Sequence, residues 1–209
     1  MAELQTSDVK RIVEVLLFGA EEPLNLAALM STFEGEYEDP SVFRGVLIDA
    51  LDELENDFKT RGVELVQVAS GFRVQVDSEH SEWVHKLWKR NPPRYSRALL
   101  ETLTMIAYQQ PITRSEIDEV RGVTTTGSIL RRLLDRGWVR ELGRKQVPGL
   151  PILYGTTRAF LDYFNLRSIG DLPPYANGDA SLVQPETLDQ PQIISSDDAP
   201  ETTSQNVAD

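Results

Sequence analysis

Between Leu99 and Thr157 the sequence lays out three short amphipathic segments and then two strand-like runs, an order that restricts the fold more than any other feature. Leu99, Leu103, Ile106 and Ala107 recur at spacings of three and four, so they share one helical face. That helix must stop before Pro111, because proline disfavours helical geometry in the residue before it. Thr113-Arg114-Ser115-Glu116 is a capping box that opens a second helix, with Ile117 and Val120 facing inward and Gly122 at its end. Thr124 to Thr126 offer caps for a third helix, whose apolar side is Ile129, Leu130, Leu133 and Leu134 and which Gly137 closes. Trp138 and Val139 begin a strand, and Ile152, Leu153 and Tyr154 make the returning one. Gly143, Arg144, Lys145, Pro148, Gly149 and Pro151 between them suit an exposed loop. Three helices, a strand, a loop and a strand are the order of a winged helix.

The earlier part of the chain repeats that order. Asp8 can cap a helix with Val9, Ile12, Val13, Leu16 and Leu17 inside, and Leu26, Leu29, Met30 and Phe33 form a second. Asp39-Pro40 is a cap followed by proline, opening a long helix whose one face carries Phe43, Leu47, Ala50, Leu51, Leu54 and Phe58. Two strands follow, Val63 to Val68 and Phe72 to Val76. In the second, Phe72, Val74 and Val76 alternate with Arg73 and Gln75, which predicts one buried face and one wet face. Glu21-Glu22-Pro23-Leu24 also lines up with Gln109-Gln110-Pro111-Ile112, and Leu29 with Ile117. The expected fold is α+β and mainly helical, with two tandem winged-helix domains at residues 1–77 and 94–173. A linker, 78–93, would carry a short helix whose Trp83, Leu87 and Trp88 lie against a neighbour, with a hinge or rigid joint at Asn91-Pro92-Pro93. Residues 174–209 are rich in Asp, Ser, Thr, Gln and Pro without a period, and read as a disordered acidic tail.

Charge narrows the function classes. The formal net charge is -12, which argues against a chain that binds nucleic acid over its whole surface. Residues 91–165 are the basic exception, with 11 Lys and Arg against 7 Asp and Glu. The chain has no cysteine, so disulfides and thiolate metal sites are excluded, in keeping with a reducing cytoplasm. Met1 to Asp8 lack the pattern of a signal peptide, and no apolar run is long enough to span a bilayer. The two histidines, His80 and His85, are five apart and fall on different sides of a helix. No phosphate-cradling glycine motif and no nucleophile–histidine set is present, so no catalytic residue, metal or cofactor is expected.

Two features remain. Arg131, Arg132 and Arg136 on the third helix, with Arg144 and Lys145 on the wing, occupy the places that meet groove and phosphate in a DNA-reading winged helix. They suggest a DNA-binding transcriptional regulator as the alternative reading, although Asp135 and Glu141 lie near enough to pair with them. Tyr108, Trp138, Tyr154, Tyr163 and Phe164 exceed what a small core obviously needs, so either they fill it or some form a docking patch.

The runs Glu101-Thr102-Leu103, Ile106 to Ile117 and Arg121-Gly122-Val123 resemble the segregation and condensation protein B family. So do Gly143-Arg144-Lys145, Pro148-Gly149, Pro151 and Leu153 to Thr157, followed by Phe160-Leu161. The resemblance is specific over about 95–173 and looser over 8–90. It implies a non-catalytic accessory subunit of the bacterial SMC–kleisin condensin, active in chromosome condensation and partition at cell division, cytoplasmic and associated with the nucleoid. Such a protein forms a homodimer, binds the kleisin subunit (segregation and condensation protein A), and reaches the SMC ATPase through it. The kleisin contact is expected on the second winged helix, around Tyr108, Gln110, Arg121, Arg144 and Tyr154, and self-association on the first domain.

Overall fold

The computed structural model describes residues 6–88, 94–122, 124 and 127–174. The Asn91-Pro92-Pro93 joint, Thr125, Thr126, the Trp88 side chain and residues 175–209 lie outside the described residues.

The first unit contains α1 (Thr6–Gly19), α2 (Leu26–Thr32), α3 (Pro40–Phe58) and the antiparallel pair β1 (Val63–Val68) and β2 (Gly71–Val76). Asp8, expected to cap the first helix, lies inside its first turn because α1 already begins at Thr6, whereas the starts of α2 and α3 have local caps. The Asn25 side chain accepts from the Ala28 N–H at 2.9 Å, and Asp39 accepts from the Ser41 N–H at 2.8 Å with Pro40 at the first turn. Val9, Val13 and Leu17 of α1 meet Leu47, Leu51, Leu54 and their neighbours on α3 in one core. Ile12, expected inside, is exposed: the buried stripe runs at strict four-residue spacing and leaves Ile12 at its edge.

Helix α4 (Ser81–Trp88) leads to the second unit: α5 (Arg97–Gln109), β3 (Ile112–Thr113), α6 (Arg114–Arg121), α7 (Gly127–Asp135), β4 (Val139–Arg144), β5 (Ile152–Thr156) and α8 (Arg158–Tyr163). Its sheet has the order β3-β5-β4, antiparallel throughout. The core joins Leu99, Leu103 and Ile106 of α5 to Ile117, Leu133, Trp138, Tyr154 and Phe160. Trp138, Tyr163 and Phe164 pack edge-on or tilted against one another at centroid distances of 4.5–5.5 Å, and Phe160 packs tilted against Phe164, so the surplus aromatics largely fill this core. Val120 is exposed rather than inward, because α6 is only eight residues long and enters the core through Ile117.

The two units are built alike. Leu24 bridges Phe72 of β2, as Ile112 pairs with Tyr154 of β5. Asn25 and Thr113, the next residues, cap the second helix of each unit, and Leu29 and Ile117 are both fully buried. The short echo around Pro23 and Pro111 therefore marks equivalent positions. Gly71 is required by the first of these contacts. A Cβ there would lie 2.3 Å from the Leu24 carbonyl group, and its φ is +148°.

Two further expectations change. Helix α4 forms, but Trp83 and Leu87 are 67% and 75% exposed rather than laid against a neighbour. The Lys86 ammonium covers the Trp83 ring at 4.6 Å instead. The second face of β2 is not wet either: Arg73 reaches residues of the second unit, and Gln75 bonds Glu64 across the hairpin at 2.6 Å.

Candidate functional site

The wing is the long β4–β5 hairpin with the loop 145–151. The Lys145 N–H donates to the Pro151 carbonyl at 2.9 Å and the Leu150 N–H to Val147, so the loop is internally tied. Its register shifts between Glu141 and Gly143. The shift brings Leu142 over Gly155, where a Cβ would lie 2.7 Å from Leu142 Cδ1. Leu142, Val147 and Leu150 are 43%, 40% and 47% exposed, three large apolar residues along one wing. Leu150 also holds φ +43°, a left-handed conformation that costs a leucine of order 1–3 kcal/mol. Of the three, Leu150 stands in the sequence between the wing glycine and proline where the resembled family usually has arginine, and Leu142 and Val147 carry no motif. The available signal was apolar side chains inside a Gly- and Pro-rich loop that needs none for a core.

The five residues expected to meet a protein partner divide into two groups. Gln110 is internal: its Oε1 accepts from the Thr156 N–H at 2.7 Å and the Thr156 hydroxyl at 3.0 Å. Tyr154 is buried on β5, and burial, with Glu141 nearby, pushes its phenol pKa above the ordinary value. Arg121 has a side chain 8% exposed and pairs with Glu101 at 3.0 Å. Arg97, 2.8 Å away from the other oxygen, and Arg121 together hold the Glu101 carboxyl below the usual range. Tyr108 is half-buried and donates to the Pro173 carbonyl at 2.5 Å. Arg144 alone of the five is fully on the surface, and its guanidinium donates to the Leu150 carbonyl at 3.0 Å. Arg144 and Leu150 thus sit together, while Gln110 and Tyr154 brace the sheet beneath.

The basic set is similarly spread. Arg131 faces Asp135 at 3.9 Å. Lys145 pairs with Glu116, which also accepts from the Thr113 N–H and hydroxyl at 2.8 Å each. Arg136 lies 4.9 Å over Tyr95 and 5.3 Å over Trp138. Arg132, Arg136 and Arg94 line a shallow cleft of about 310 Å³ at the start of α5, with Asp135 on its rim. Arg131 and Lys145 are thus engaged by carboxylates, while Arg132 and Arg136 line the cleft. Among the described residues no group of three or more His, Asp or Glu converges as a metal site, and no helix is long and apolar enough to cross a membrane.

Residues 11–175 match the family described as "Segregation and condensation complex subunit ScpB". The "Segregation and condensation protein B homolog" of Coxiella burnetii is 47% identical over 165 residues, covering 79% of this chain and 78% of that protein. The "Segregation and condensation protein B" of Syntrophotalea carbinolica is 44% identical over 172 residues, with 81% and 83% covered. The crystal structure of ScpB from Mycobacterium tuberculosis is 31% identical and covers 79% of this chain and 99% of that one, with a TM-score of 0.36.

Proposed function

The chain belongs to the ScpB family of segregation and condensation complex subunits, and from that premise we propose that it acts as a non-catalytic adaptor that binds the kleisin through the wing of its second domain. In this reading the chain reaches the SMC ATPase through the kleisin and serves chromosome condensation and partition in the cytoplasm. The observation that carries it is the wing itself: Leu142, Val147 and Leu150 exposed beside Arg144. Apolar side chains with an arginine among them are the composition of an interface core. Tyr108 would border this surface, and Gln110, Arg121 and Tyr154 would shape it from within.

We assign self-association to the first domain, taken as residues 1–77. Val15 and Phe18 of α1 and Val42 of α3 are large, apolar and exposed there, and a second copy would cover them.

The test is affinity for the central segment of the kleisin, measured by calorimetry with the full chain. Arg144→Glu and Leu150→Asp should each weaken binding by at least about tenfold, equivalent to 1.4 kcal/mol. Affinity unchanged in both variants would remove the wing as the contact. Light scattering on Val15→Glu should report a monomer where the parent chain reports a dimer.

A DNA-binding reading has one observation in its favour, the arginine-lined cleft. Five phosphate contacts would give a salt slope of roughly -4.5, so retardation of duplex DNA that fades with that slope would favour it over the adaptor.

A further inference from the structure

The tip of the first hairpin does not end in solvent. Ala69 and Ser70 form its two-residue turn, and both touch the second unit. The Ala69 N–H donates to the Leu166 carbonyl at 2.9 Å. The Ser70 N–H donates to Asp162 Oδ1 at 2.9 Å and its hydroxyl to Oδ2 at 2.6 Å, so one carboxylate on α8 takes both donors of one turn residue. Arg73, two residues along β2, places Nη2 at 3.0 Å from the Asp162 carbonyl and 2.6 Å from Asn165 Oδ1. Asn165 has φ +55°, a conformation asparagine tolerates better than most residues, and it turns the chain at the end of α8. Residues 69–73 and 162–166 thus face each other as two short, mutually satisfied segments.

The chemistry of this joint differs from that of the two cores. The hydrogen bonds named above and the Arg73 guanidinium cross it, and the two apolar cores it joins are separate clusters. Burial lowers the Arg73 pKa from its ordinary value, with Asp162 acting in the opposite direction. Arg73 Nε and Nη1 are buried and make no hydrogen bond among the described residues. Two desolvated donors oppose closure while the paired ones favour it. A polar contact between separately cored domains is one that opens more readily than either core unfolds.

We propose that Ser70, Arg73, Asp162 and Asn165 form a latch that holds the two winged helices in one relative orientation and releases them without unfolding either. The latch uses the tip of the first wing, the part that a nucleic-acid-binding winged helix would leave free. It stands whether or not the second wing contacts the kleisin.

The full chain has no cysteine, so two labels can be placed without background. Nitroxides on Glu55→Cys in α3 and Glu119→Cys in α6, both exposed, span the two units. The labelled chain is diluted in unlabelled chain so that only intramolecular distances are read by pulsed electron resonance. One narrow distance is expected for the parent, and Arg73→Ala or Asp162→Ala should broaden the distribution to about twice its width or more. Near-ultraviolet circular dichroism should stay unchanged, showing that both cores persist. Should Asp162→Ala lose that signal, Arg73→Gln carries the same test from the first unit's side. A distribution already broad in the parent, or one left narrow by the Arg73 variants, overturns the latch.

Discussion

Glu116 ties together parts of the second domain that lie 29 positions apart in the chain. The Lys145 ammonium, and then the backbone N–H and hydroxyl of Thr113, hold its carboxyl at about 2, below the ordinary 4.5. Because the folded value is the lower one, Glu116 stabilises the fold above pH 4.5, and that contribution disappears as the pH falls toward 2. The side chain is 38% exposed, so screening by solvent keeps the effect modest. Urea midpoints at pH 7 and pH 3 should therefore converge in Glu116→Gln relative to the parent. Tyr154 requires a different expectation from the one its position in the wing strand suggested. It is 8% exposed, so Tyr154→Ala should cost about 3–5 kcal/mol of stability and confound any binding measurement. Tyr154→Phe keeps the packing and is the informative variant. Leu150→Gly should do the reverse: it removes the strain at φ +43°, gaining about 1 kcal/mol in urea denaturation, and takes away an exposed apolar contact, so stability and kleisin affinity should move in opposite directions.

The elements were legible in proportion to how local their causes are. The capping box at Thr113 to Glu116 and the Asp39-Pro40 start each involve residues at most four apart, and each stands in the structure where patterning put it; the alternation in β2 marks a strand, but its polar face is covered rather than wet. The exceptions are equally specific. Helix α4 was legible as a helix, but the destination of its apolar side was not, because periodicity shows that a face exists and not what covers it. With Trp83 and Leu87 in solvent, Leu87→Ser should change the stability of the chain by no more than about 0.5 kcal/mol in urea denaturation. The turn into β2 is less tolerant. Gly71→Ala would drive a Cβ into the Leu24 backbone at 2.3 Å, and a loss of 2 kcal/mol or more, read by the same measurement, is expected from the displaced bridge to Phe72.

At the scale of the whole molecule, the two clusters, their satellites and every interdomain hydrogen bond described above fall within residues 9–172. Ending the chain after Pro174 should leave the thermal midpoint unchanged in a calorimetric scan. The sequence by itself determined that there would be two units of one element order and that a basic region would stand in an acidic chain. Each of these follows from composition or from spacings of a few residues. Only the tertiary structure decided that the polar face of β2 is covered, that Gln110 and Tyr154 brace a sheet while Leu150 stands exposed above it, and that Asp162 takes the turn at Ser70. The contacts of Arg73, Gln110 and Asp162 among these join residues 46 to 92 positions apart at 2.6 to 3.0 Å, and a pairing at that range leaves no period, cap or turn signal in the chain to read.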